Sequence, residues 1–251
     1  MSAATVPEVP YTVAENDSPL HLGGLIIHLV PASGRTGVRV TVERDARIIA
    51  RVPADADRDK LAALIRTRLA WLYTKVNARR VEAAERPRRR FLDGEGFWYL
   101  GRNHRLKLID DPAASPVALK AGRLHLRRDH RDTAAPALVS WYVVRGRAWL
   151  PHRVHSWARR MDVPDAELNV RPLGYRWGSC SRRGTVNVHW ATMQLPARLI
   201  DYVLVHELAH LDHPHHTSGF WRAVGRVMTD YERLRAELDE WGAGIWLPDE
   251  S

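Results

Sequence analysis

The chain has 251 residues, 45% of them hydrophobic and 27% charged, an ordinary globular composition with room for one large domain or two small ones. No stretch approaches the roughly 18 apolar residues of a membrane span, and a single cysteine, Cys180, excludes an intramolecular disulfide. The formal charge of +9 admits an anionic partner, but basic and acidic residues interleave, and the densest basic run, Arg86-Pro-Arg-Arg-Arg90, is short and lies in a connector.

Residues 1–22 read as a flexible leader, with Pro7, Pro10 and Pro19 and no periodicity. They lack the basic start and apolar run of a signal peptide, and with one cysteine this predicts a cytoplasmic protein. From Gly23 to Pro53 the pattern is strand-like. Val38, Val40 and Val42 alternate with polar residues, and Ile48–Val52 follows a polar break, which predicts a β-hairpin. Residues 55–80 form one expected helix, capped by Asp57 or Asp55, with Leu61, Ile65, Leu72 and Val76 at helical spacing and Trp71 and Tyr73 as packing groups. Short strands are expected at 97–100, 106–109, 117–119 and 124–126. A β-rich accessory lobe over 23–130, with one helix, is the resulting expectation.

The composition then changes. Residues 133–161 carry apolar side chains at helical intervals, with Pro151 either kinking one helix or dividing two. Leu168–Val170 and the alternating stretch 184–190 read as strands, the second half-buried. Pro196 sits where a first-turn proline belongs, ahead of a helix that should run to about Asp212. Phe220–Met228 and Tyr231–Trp241 are two further helical patterns, and Gly242 and Gly244 should end the second. Residues 131–251 are the expected catalytic domain.

The chemistry lies in Asp201-Tyr-Val-Leu-Val-His206-Glu207-Leu-Ala-His210. On a helix His206 and His210 project from one face and can grip one metal ion. Glu207 is rotated by about 100° from His206. It can approach a metal-activated water as general base without being a ligand, which is the arrangement for metal-assisted hydrolysis. A catalytic zinc takes three protein ligands. His213 continues nearly the same stripe as His206, and three side chains in one row about 10 Å long cannot converge on one ion. The third ligand should follow the turn that Pro214 enforces, so His215 and His216 are the candidates.

Arg176-Trp-Gly-Ser-Cys-Ser181, the H-E-x-x-H segment, His213-Pro214, His216 and Phe220-Trp221 together resemble the YgjP-like (DUF45) metal-dependent hydrolases, zincin-type metallopeptidases distantly similar to SprT-like proteases. The resemblance implies His216 as third ligand, three residues ahead of the Phe-Trp pair. It implies an α+β fold, a zincin-like catalytic domain whose H-E-x-x-H helix packs on a small sheet, beside the N-terminal lobe. It further implies an extended peptide bound along a strand near Arg176–Ser181. The expected function is therefore a zinc metallopeptidase with one Zn²⁺, or another divalent metal, on His206, His210 and His216. Glu207 is the base, and Arg176, Ser179 and His213 are candidate substrate contacts. The expected partner is a peptide or protein. The alternatives are a nucleotide phosphohydrolase and a nucleic-acid-associated SprT-like protease or binding protein.

Overall fold

The computed structural model describes residues 18–32, 37–43, 46–53, 56–85, 89–174, 176–181 and 183–248. Most of the expected leader and Arg86–Arg88 of the basic run lie outside them, as does Asp55. The chain is a mixed α+β protein in two compact units, Met1–Ala83 and Ala84–Ser251.

In the first unit, β1 (Leu20–Leu22), β2 (Leu25–Pro31), β3 (Arg39–Val42) and β4 (Ile48–Val52) form one sheet in the order β1-β2-β4-β3. Residues 20–22, assigned to the leader from sequence, are thus a strand. β3 and β4 pair antiparallel, as their alternation predicts. The Asp57 carboxylate accepts the Asp59 and Lys60 N–H groups at 2.9 and 3.2 Å and caps α1 (Arg58–Arg66).

The single helix expected over 55–80 is two, α1 and α2 (Leu69–Glu85). The Thr67 hydroxyl donates to the Leu64 carbonyl at 2.7 Å and the Arg68 N–H donates to Ile65 at 2.9 Å, which tightens the backbone and closes α1. Leu61, Ile65, Leu72 and Val76 are buried with the sheet residues. Trp71 and Tyr73 are not packing groups in the expected sense: they are 44% and 39% exposed. Each lies one residue from the inward-facing Leu72, about 100° round the helix.

The second unit opens with β5 (Gly96–Tyr99), β6 (Arg102–Ile109), β7 (Val117–Lys120) and β8 (Arg123–Arg127), in the order β5-β6-β8-β7. These strands share one continuous core with everything that follows, from Phe97 through Leu138, Val186 and Leu204 to Trp246. The second compact unit thus begins ahead of β5. Next comes α3 (Ala134–Met161), which runs through Pro151 as one helix. Its buried residues include Leu138, Tyr142, Gly146, Leu150 and Val154, and the Tyr142 hydroxyl donates to the Trp98 carbonyl at 2.6 Å.

A second sheet has the order β10-β11-β9, from β9 (Glu167–Arg171), β10 (Gly178–Cys180) and β11 (Thr185–His189). β11 pairs antiparallel with β10 and parallel with β9. It is the central strand, and Val186, Asn187, Val188 and His189 are all buried, so both of its faces are covered where a half-buried strand was expected. The chain then forms α4 (Ala197–Ala209), α5 (Ser218–Val227) and α6 (Tyr231–Gly244). Gly242 lies inside α6, and the helix ends at Gly244.

The start of α4 is held from two sides. The turn between β5 and β6 donates Leu100 N–H to Met193 at 2.8 Å and Gly101 N–H to Gln194 at 3.3 Å. Gly101 has φ +75°, and a β-carbon there would meet the Pro196 Cα at 2.8 Å, so this close approach requires glycine. Buried Gln194 exchanges both amide hydrogen bonds with the Trp246 backbone, at 2.8 and 3.0 Å, which ties down the C-terminal segment. No helix among the described residues is long and apolar enough to cross a membrane.

Candidate metal centre

α4 is apolar nearly all round, with Leu199, Ile200, Val203, Leu204, Val205 and Leu208 buried, and it packs against β10, β11, α3, α5 and α6. A helix enclosed in this way holds its polar side chains in fixed positions. Pro196 occupies the N-cap instead of the first turn, and the helix ends at Ala209 with His210 as its C-cap, earlier than expected. One more turn follows, with the His213 N–H donating to Ala209 at 3.0 Å, before Pro214.

The chain then returns. His216 Nε2 comes to 2.9 Å from His206 Nε2. One ring nitrogen each from His206, His210 and His216 lies within 4.8 Å of the others. The His210 Nδ1–H donates to the His213 carbonyl at 3.1 Å, which leaves its Nε2 lone pair free for the cluster. His213 thus contributes its backbone, while its ring lies beside Gly219. His215 is exposed and stands outside the cluster; its carbonyl accepts the Thr217 N–H at 2.7 Å.

Phe220 forms the floor. It is fully buried, and its ring centroid is 4.9, 4.7 and 4.7 Å from those of His206, His210 and His216. Trp221 stacks on His216 at 5.7 Å and 22°, and Tyr231 stacks on Trp221 at 5.3 Å and 16°. The third histidine, which sits on a loop, is held by this column of rings.

The donor set fits a transition metal. Burial first, then the neighbouring His210, His216 and Arg235, push His206 down to about 3, so it is neutral. Burial lowers His210 as well. Two imidazole nitrogens 2.9 Å apart repel unless a proton or a cation lies between them, and three neutral imidazoles are ligands of zinc and its neighbours.

Glu207 is 7% exposed and lies against β10. Burial pushes its carboxyl up to about 8, opposed by the Arg176 charge and by a hydrogen bond from the Cys180 backbone N–H. A β-carbon on Gly178 would lie 2.6 Å from Glu207 Cγ and 2.7 Å from Oε1, so only glycine leaves space for the carboxylate in this position. Arg176 is therefore electrostatically coupled to the expected base. Ser179 lies between Gly178 and Cys180, and alternation along the strand turns its side chain to the other face of β10, opposite Asn187. Cys180 is raised to about 11 by burial and then by Glu207, which makes it a poor nucleophile.

Asp201 is paired across helices: both its oxygens accept from the Arg153 guanidinium, with Nε to Oδ1 at 2.7 Å. Arg153 also lies over the Trp149 ring at 4.5 Å. Sequence reasoning did not find this pair, the contact of Gly178 with Glu207, or the Trp221–Tyr231 stack. Each joins residues that carry no local motif linking them.

His206, His210 and His216 form a group that could hold a metal ion, and buried Glu207 lies on the same helix as the first of them. Residues 36–241 match the model of the YgjP-like family, described as a metallopeptidase domain, and the chain belongs to that family. Two solved structures of metallopeptidase zymogens are similar over part of the chain. Abylysin of Pyrococcus abyssi is 22% identical, with 38% of this chain and 97% of that one covered and a TM-score of 0.34. Jannalysin of Methanocaldococcus jannaschii is 13% identical, with 36% and 93% covered and a TM-score of 0.33. No curated protein matches the chain.

Proposed function

We propose that the protein is a zinc-dependent peptidase in which His206, His210 and His216 hold one ion and Glu207 is the general base. The observation that carries this reading is the convergence of the three ring nitrogens within 4.8 Å, from α4, its C-cap and the loop that the turn after α4 brings back. Bound zinc supplies Lewis acidity, which polarises a peptide carbonyl and brings the ionisation of water down to about pH 7. Glu207 takes a proton from the attacking water at a carboxylate oxygen and delivers it to the departing amine nitrogen. The Cys180 N–H and Gly178 hold that carboxylate in place, and the Arg176 charge favours its ionised, proton-accepting form. The N-terminal lobe over 23–130 and the catalytic domain over 131–251 remain our functional division of the chain, with the stretch 176–181 around β10 as the place where an extended substrate lies. His213 fixes His210 through its carbonyl.

Chelator treatment followed by zinc readdition tests the proposal. Turnover of an unstructured peptide should vanish and return with one zinc per chain. Hydrolysis of nucleoside triphosphates in place of peptides would contradict it.

A further inference from the structure

The sheet β5-β6-β8-β7 is covered by the core on one side. Leu106, Leu108, Leu124 and Leu126 are buried there, and strand alternation sends Arg105, Lys107, Arg123 and His125 to the other side. Register gathers these cations across the strands. Lys107 is paired with His125, and Arg123 with Lys120. Arg105, Lys107, Lys120 and Arg123 are exposed.

Among the described residues, none of Lys107, Lys120 and Arg123 makes an ion pair. Asp129 is engaged by Arg127 and Asp110 by Arg128 at the far end of the strands, and the Asp93 carboxylate accepts the Leu108 N–H at 2.7 Å. The convergence of charge is felt by His125, whose protonation is opposed by burial and then by Lys107, Lys120 and Arg123. Like charges placed side by side on a sheet are unfavourable for folding, and an anionic partner offsets that cost.

The chemistry of the face selects the partner. A protein interface needs an apolar or aromatic centre. Here Ala118 is the apolar residue paired between the cations, and Trp98, on the same side of β5, is already packed on Trp241 at 5.0 Å. Interfaces with nucleic acid are more polar and far more positive. Without a free aromatic ring there is no platform for stacking bases, so the contacts are to phosphate.

We propose that this face, through Arg105, Lys107, Lys120 and Arg123, binds the phosphodiester backbone of a nucleic acid without reading its sequence. The proposal stands independently of the peptidase reading, because it uses none of the metal-site residues.

The test is binding of the full chain to a fluorescent mixed-sequence DNA duplex across a salt titration. For wild type, log K should fall linearly with log salt. Lys107→Gln with Lys120→Gln and Arg123→Gln should weaken binding and reduce the slope by about 0.9 for each cation removed. A control with the same change in charge, Arg147→Gln with Arg159→Gln and Arg226→Gln, should keep the wild-type slope. An unchanged slope in the first triple variant, or an equal loss in both, would overturn the proposal. Competition by polyglutamate as strong as by duplex of equal charge would also overturn it, and would point to an acidic protein.

Discussion

Gly178 and Glu207 occupy each other's space: a β-carbon on the glycine would sit 2.6 Å from Cγ of the glutamate. The edge strand β10 and the helix α4 are thereby locked at one point, and the carboxylate has its position because residue 178 has no side chain. Gly178→Ala should push the carboxylate aside. A displacement of about 1 Å can cost about 100-fold in rate. The expectation is therefore a fall in kcat of about that size with zinc content unchanged, read by steady-state kinetics beside metal analysis.

The stacked column Tyr231–Trp221–His216 should matter to the metal more than to the fold. Trp221→Leu removes the ring against which His216 lies. Groups that orient a metal ligand are worth about 10–100-fold in affinity, and competition with a chromophoric chelator should show a loss in that range. Trp221→Phe keeps an aromatic face and should recover part of it. Equal affinity in all three proteins would mean that the loop places His216 unaided.

How much of this was legible in the sequence depends on how locally each feature is encoded. The spacing of His206, Glu207 and His210 is a property of one helix turn, and the structure keeps all three on α4 and at its C-cap. Pro214 announced the return of the chain, but only the family resemblance separated His216 from His215. Gly178 stood in view in Trp177-Gly-Ser-Cys180, yet its partner lies across the fold and leaves no mark in its neighbourhood. Apolar periodicity was a fair guide where a helix has one neighbour and a poor one elsewhere. It joined α1 to α2 because it does not register the Thr67 hydroxyl turned back on the Leu64 carbonyl. It also gave β11 one wet face, since it cannot show that both faces of a strand are covered.

Cys180 should behave as a structural thiol. Burial and the Glu207 charge raise it to about 11. The neutral thiol is then the dominant form through pH 9, and its thiolate grows about tenfold per pH unit up to that value. Iodoacetamide alkylation of the native protein should be slow at pH 8 and accelerate towards pH 11, with an earlier rise in the denatured chain. Fast alkylation at pH 7 would mean an activated thiolate and contradict this.

The Arg153–Asp201 pair should be a stability element linking α3 to α4. Its arginine side chain is 32% exposed and its aspartate 11%, so the pair is only partly desolvated. Losing hydrogen bonds to a charged group costs about 1.5–3 kcal/mol. Arg153→Ala should lower unfolding free energy by about that amount in urea titrations. Turnover per folded molecule should survive, because neither residue belongs to the histidine cluster.

The central claim is that Glu207 moves the proton while the three histidines hold the metal. Glu207→Gln tests it most directly, with zinc stoichiometry and peptide turnover measured on the same sample. The account predicts one zinc per chain, an unchanged fold and a rate lower by about 10²–10⁴-fold, the range of general base catalysis. Wild-type turnover in a folded, zinc-replete Glu207→Gln protein would contradict it.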